Sequence, residues 1–183
     1  VLLENVRGKK FDRTIGNIVD EKSIVNGIIG LLATGGSTNH TLHLIAIAKA
    51  AGIKITWDDF SELSEVIPLI CRVYPNGAAD VNHFHASGGM AYVMKTLLDT
   101  GLLHGDVNTI LGKGLERYTA DPKLKGDQIV YEDGPTKSIN ESILRSADEP
   151  FHKEGGLKVL KGNIGTAVIK TSAVKSEHHI VEA

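Results

Sequence analysis

The sequence predicts an α/β layered domain on a mainly parallel sheet, followed by the first strands of a β-rich unit. Strand-like and helix-like stretches alternate over residues 1–125, at lengths suited to strand–helix units. From about Gly126 helical periodicity gives way to short β-branched pieces punctuated by Gly, Pro and Lys. A chain of 183 residues is long enough for one ordinary core, or for one domain and the start of another. The division expected is an α/β part over 1–125, a linker over 126–155 and the opening of the β-rich unit over 156–183.

The elements follow in order. Asp20 ahead of Ile24, Val25, Ile28, Ile29, Leu31 and Leu32 predicts a capped helix, which Gly35 and Gly36 end. A second helix begins near Ser37, carries Leu42, Leu44, Ile45, Ile47 and Ala48, and is expected to be buried on most sides until Gly52 stops it. "IKIT" is a short strand candidate. Thr56 and Asp59 resemble a capping box opening a helix through Phe60 and Leu63 towards Pro68. "LICRVY" reads as a strand closed by a Pro75-Asn76-Gly77 turn. Met90, Val93, Met94, Leu97 and Leu98 mark the clearest helix, stopped by Gly101, and Asp106 is expected to cap a further helix through Leu111. "LKVLKGNIGTAVIKTSAV" reads as two strands around the Gly162-Asn163-Ile164-Gly165 turn.

Composition narrows the functional classes. Lys plus Arg (20) nearly balances Asp plus Glu (22), so no global field draws nucleic acid or an anionic membrane, and any anion must be recognised locally. No apolar run approaches the ~20 residues of a bilayer span. The lone Cys71 excludes an internal disulfide and leaves no thiolate set for a structural zinc or an iron–sulfur cluster. The first residues, "VLLENVRGKKFDRTIG", fit neither a secretory signal nor a transit peptide, and "SEHHIVEA" stops in strand-like sequence. Both ends look cut from a longer chain.

Two stretches could carry chemistry. "GGSTNH" puts flexible backbone and donors from Ser37, Thr38 and Asn39 at a helix start, where free amide hydrogens and the macrodipole suit a carboxylate or phosphate. The same residues also suit a C-cap followed by an N-cap in a helix–helix connection. The spacing matches neither a Walker loop nor a dinucleotide fingerprint. His40 with His43, and His83 with His85, could ligate a metal or act as acid and base, but no carboxylate at ligand spacing accompanies them. No metal ligand is therefore assigned, and a pocket role beside the glycine pair suits an anionic polyol better. Asp58, Asp59, Asp121, Glu132 and Asp133 read as caps or solvated carboxylates. Lys113, Arg117, Lys123 and Lys125 read as a loose surface cluster, and Cys71 as a small buried hydrophobe.

"DEKSIVNGIIGLLATGGSTNHTLHLIAIAKAAGI", "YPNGAADVNHFHASGGMAYVMKTLLDTGLLHGDVNTI" and "GGLKVLKGNIGTAVIKTSAV" closely resemble the middle of the dihydroxy-acid/6-phosphogluconate dehydratase family, through essentially the whole chain. "WDDFSELSEVIPLICRVYPNGAADVNHFHASGG" resembles the phosphogluconate branch in particular. The resemblance implies a hydro-lyase converting 6-phospho-D-gluconate to 2-keto-3-deoxy-6-phosphogluconate and water, in the Entner–Doudoroff route of sugar breakdown. It implies a cytoplasmic homodimer with an iron–sulfur cluster of the 4Fe-4S type as Lewis acid, and leaves room for a divalent cation beside it. It also implies an α/β amino-terminal domain followed by a barrel-like carboxyl-terminal one.

The family's cluster cysteines and the motif near its catalytic base are absent from this sequence, so catalytic residues are not assigned and the segment alone is expected to be inactive. Gly35, Gly36, Ser37, Thr38 and Asn39 match a motif expected at the cofactor and substrate pocket. His83 and His85 match the branch-specific stretch and are the candidates for recognising a phosphorylated sugar acid. A non-catalytic sugar-phosphate binding module, or another sugar-acid or dihydroxy-acid dehydratase of the family, are the competing readings.

Overall fold

A computed structural model describes residues 2–8, 13–178 and 180. The helices are α1 (Leu2–Arg7), α2 (Ile15–Ile18), α3 (Glu21–Thr34), α4 (Thr38–Ala50), α5 (Trp57–Val66), α6 (Val81–Ala86) and α7 (Gly89–Asp99). The strands are β1 (Asn108–Thr109), β2 (Gly112–Lys113), β3 (Asp121–Lys125), β4 (Gln128–Glu132), β5 (Lys158–Gly162) and β6 (Gly165–Ile169). Helices and short strands thus mix along the chain, as the α/β expectation has it. Among the described residues the strands form three two-stranded antiparallel ribbons, β1–β2, β3–β4 and β5–β6, and no closed barrel. The mainly parallel sheet expected from the alternation is therefore corrected.

The reason lies in how the extended stretches find partners. "IKIT" forms no strand: the Ile53 amide closes on the Ala48 carbonyl at 2.8 Å, while Ile53 and Ile55 pack against the core. "LICRVY" is extended, but it pairs through single bridges, Leu69 with His152, Cys71 with Leu144 and Val73 with Ala79. Most of its backbone bonds go to residues 143–152, in the stretch read as a linker, where Arg72 N–H donates to Ile143 O and Arg145 N–H to Ile70 O. Apolar periodicity marks a buried extended run but does not name its partner.

The core gathers around α3, whose Ile28, Leu31, Leu32 and Ala33 are buried, and around Ile70, Cys71, Val93, Leu97 and Leu144. Asp20 caps α3 as expected, in a reciprocal box with Ser23, and Thr56 with Asp59 opens α5. By contrast, α4 buries only the stripe Thr41, Leu44 and Ala48, at i, i+3 and i+7, and leaves Leu42 60% and Ile47 47% exposed. The expectation of burial on most sides is thus wrong in this chain, because among the described residues α3 is the element packed most closely on it. No helix runs from Asp106 to Leu111. Asn108 and Thr109 instead turn into the β1–β2 ribbon, with Thr109 Oγ1 donating to Gly112 O at 2.7 Å, and Asp106 pairs with Lys22. β5 and β6 form the hairpin expected around residues 162–165. The strand-like reading of the last residues falls partly on His179 and 181–183, outside the described residues; Ser176–His178 is a 3-10 turn.

Cys71 is 1% exposed, and burial in apolar surroundings pushes its thiol up to about 12. The thiol is therefore mostly protonated in the folded state at pH values well below that. The stability this contributes is full below the unfolded thiol pKa, about 8.5, and is lost as pH rises towards 12. A thiol reagent at pH 8 is expected to label Cys71 only after denaturant is added; labelling of the native protein at the rate of an exposed thiol would contradict this burial.

Candidate functional site

The "GGSTN" stretch is the connection from α3 to α4. Gly35 closes α3 in the left-handed region (φ 57°, ψ 45°), its amide facing the Leu31 and Leu32 carbonyls, while Gly36 N–H donates to Leu31 O at 2.9 Å. Ser37 is the N-cap of α4 and accepts the Asn39 amide hydrogen at 3.2 Å. The capping reading is thus realised in full. It does not exhaust the donors, because the first amides of a helix have no intrahelical partner, and Asn39 is exposed. Thr38 and Asn39 line a cleft of about 260 Å³ with Trp57 of α5 and Thr166, Ala167 and Val168 of β6.

Gly35 and Gly36 are not among the residues that line this cleft. A methyl group on Gly35 would lie 2.2 Å from Asn76 Nδ2, and one on Gly156 would lie 2.8 Å from the Gly35 Cα. Side chains of Asn76 and Leu69 crowd Gly35, the Leu31 side chain crowds Gly36, and the Gly35 backbone crowds Gly156, so each position has little room for a Cβ.

His83 and His85 lie on α6, whose N-cap Asp80 accepts the Asn82 and His83 amides. His83 Nδ1 is 2.8 Å from Asp80 Oδ1. The His83 amide above all, with the imidazole adding to it, holds the Asp80 carboxyl below the usual carboxylate range. His83 is thereby engaged in capping. His85 instead lines a larger cleft of about 700 Å³ with Gly88 and Gly89 at the start of α7, Arg117, Lys123 and Tyr131. Arg117 and Lys123 there face Asp121 and Asp133, and Lys123 is paired with Asp121 at 2.6 Å. Formal charge on that wall balances, so its field alone does not select an anion.

Thr38 and Asn39 line one cleft and His85 another. The two candidate groups are joined by the loop of residues 74–80: Asn76 bonds the Gly35 carbonyl, and Asp80 caps α6. In the sequence Asn76 reads only as a turn residue, and Arg117 and Lys123 only as surface charge. Asn76 lies 41 positions from Gly35, and no local pattern signals a bond over that separation.

The residues present do not fit an iron–sulfur cluster. Cys71 is buried and protonated, and among the described residues no group of three or more His, Cys, Asp or Glu side chains is placed to hold a metal ion. No helix of the described residues is long and apolar enough to cross a membrane.

Comparison with known proteins places these features in a family. The amino-terminal part of dihydroxy-acid/6-phosphogluconate dehydratases matches residues 2–118, and the carboxyl-terminal part matches 142–183. The chain belongs to the dihydroxy-acid/6-phosphogluconate dehydratase family. Within it, the chain is 58% identical to the phosphogluconate dehydratase of Pseudomonas aeruginosa and 56% identical to that of Escherichia coli K12, each over 92% of this chain. It is 38% identical to the dihydroxy-acid dehydratase of Crocosphaera subtropica, over 96% of the chain. The chain spans 28% of the length of the two phosphogluconate dehydratases and 29% of the third protein.

Proposed function

We propose that this chain is the central part of a hydro-lyase that converts 6-phospho-D-gluconate to 2-keto-3-deoxy-6-phosphogluconate and water, the dehydration step of the Entner–Doudoroff route. The observation that carries the reading is the gap between 58% identity to a phosphogluconate dehydratase and 38% to a dihydroxy-acid dehydratase over nearly the same residues. The donor set of this chain supports a division of labour. Residues 37–39 offer hydroxyl, carboxamide and helix-start amide donors to an anionic polyol, while the cluster that acts on the departing hydroxyl, any divalent cation and the base that takes the neighbouring proton belong to the rest of the full-length protein. That cluster supplies Lewis-acid chemistry when bound. The boundaries at 125 and 155, the cytoplasmic location and the homodimer belong to the same proposal.

Gly35 and Gly36 shape the pocket wall in this reading, Ser37, Thr38 and Asn39 bind, and His83 and His85 set the preference for a phosphorylated acid, His85 from the larger cleft and His83 by fixing the start of α6. The test uses the full-length enzyme with its cluster intact, assayed on 6-phosphogluconate, gluconate and a branched dihydroxy acid. A preference of at least tenfold in kcat/KM for 6-phosphogluconate is expected, falling when His83 and His85 are both replaced by Asn. Equal turnover of the three acids would refute the substrate assignment. An unaltered preference in the double variant would remove the histidines from it.

A further inference from the structure

The turn at Gly35 is held by a side chain from elsewhere in the chain. Asn76, in the loop after the extended run of residues 69–74, donates from Nδ2 to Gly35 O at 2.8 Å and towards Thr34 O at 3.3 Å. Its Oδ1 accepts from Ser172 Oγ at 3.0 Å, and Ser172 Oγ also lies 3.1 Å from Gly156 O. The chemistry fixes which way the carboxamide points: its nitrogen faces two carbonyl oxygens and its oxygen faces a hydroxyl, so a flip would set oxygen against oxygen. Asn76 thus donates to both carbonyls, while its oxygen shares the single Ser172 hydroxyl hydrogen with Gly156 O. The surroundings are close-packed: a methyl group on Gly156 would lie 2.8 Å from both the Gly35 Cα and Ser172 Oγ, and longer bonds of 3.3 Å run from Gly156 N–H to Leu32 O and from Ser172 N–H to Gly156 O.

This arrangement does more than end a helix. The Gly35 and Gly36 amides already take the Leu31 and Leu32 carbonyls, so the left-handed stop of α3 forms without Asn76, which reaches the later Thr34 and Gly35 carbonyls. What Asn76 adds is the orientation of the Thr34 and Gly35 carbonyls, hence of the peptide planes leading into Ser37 and the first turn of α4. Through Ser172 it also ties that turn to the segment just after β6, the strand whose Thr166, Ala167 and Val168 form the opposite wall of the cleft at Thr38 and Asn39.

We propose that Asn76 is a positioning residue for substrate binding: with Ser172 it fixes the α3–α4 turn against the β6 wall and so aims the donors of residues 37–39 at the carboxylate and hydroxyls of a sugar acid. The assignment rests on the reading of residues 37–39 as a pocket wall. Asn76 itself touches no substrate.

The test compares Asn76→Ala, Ser172→Ala and the pair Ser37→Ala and Asn39→Ala in full-length enzyme, measuring KM, kcat per cluster and thermal unfolding. Loss of aim weakens binding of ground and transition states alike. Asn76→Ala is expected to raise KM for 6-phosphogluconate about tenfold with kcat within a factor of about three, and Ser172→Ala to raise it about threefold, because Gly35 O keeps its donor. A merely structural role would lower the unfolding temperature and leave KM of the folded enzyme unchanged, which overturns the proposal. If Asn76→Ala does not fold, Ser172→Ala decides: a raised KM supports the tie, and a wild-type KM sinks it. Wild-type KM in Asn76→Ala beside raised KM in the Ser37 and Asn39 variants defeats this proposal alone. Wild-type KM in the Ser37 and Asn39 variants as well defeats the pocket reading beneath it.

Discussion

Replacing Gly35 by Ala is expected to destabilise the protein by about 3 kcal/mol, from two effects of similar size. Gly35 sits at φ 57°, where an L side chain costs about 1–2 kcal/mol. The added methyl would also lie 2.2 Å from Asn76 Nδ2 and 3.0 Å from Leu69 Cδ1. Leu69 has little room to move, being 5% exposed, so Asn76 must swing away and forfeit its bonds to Thr34 and Gly35. Each such bond is worth about 1 kcal/mol net. Gly52→Ala provides the control. It is also at positive φ, 77°, but nothing lies within 4 Å of the added carbon, so only the backbone cost remains. In denaturant titrations of the full-length protein, Gly35→Ala should lose clearly more stability than Gly52→Ala. Equal losses would show that the crossing at Gly35 is not tight.

The same residues show what the sequence made legible. Helix caps were readable because their logic is local: Asp20 with Ser23 and Thr56 with Asp59 lie three apart and satisfy each other within one turn. The β5–β6 hairpin was readable for a similar reason, its turn glycines and flanking β-branched residues being contiguous. The α4 stripe was misread because hydropathy reports what a side chain prefers, whereas burial depends on which element arrives to cover it. The parallel sheet failed likewise: "LICRVY" finds its partners at residues 143–152, where no alternation advertises a strand. At the candidate site the capping half of "GGSTN" was legible and the packing half was not. Glycine can be demanded by a ligand or by a crowding neighbour, and sequence alone does not distinguish them. Here Asn76 and Gly156 are the neighbours that demand it.

The stretch read as a linker gives the other large effect. Leu144 is fully buried, and Cys71, the residue it bridges, is 1% exposed. Cutting Leu144 to Ala removes three buried carbons and leaves a cavity between elements that cannot easily collapse, because ladder bonds on both sides hold residues 69–74 in place. The expected cost is about 2–5 kcal/mol. Ile139→Ala removes a side chain that is 77% exposed, in the same connecting stretch, and should change stability by less than about 0.5 kcal/mol. The informative readout is native-state hydrogen exchange of the Arg72 and Arg145 amides, which donate to Ile143 and Ile70 and report the local opening directly. Leu144→Ala should speed their exchange by at least about thirtyfold, the factor that corresponds to 2 kcal/mol. Because Ile70 N–H in turn donates to Ala33 O one residue ahead of Thr34, the same opening should reach the α3–α4 turn. Protection in Leu144→Ala equal to that in Ile139→Ala would mean that residues 143–152 do not brace the turn at all.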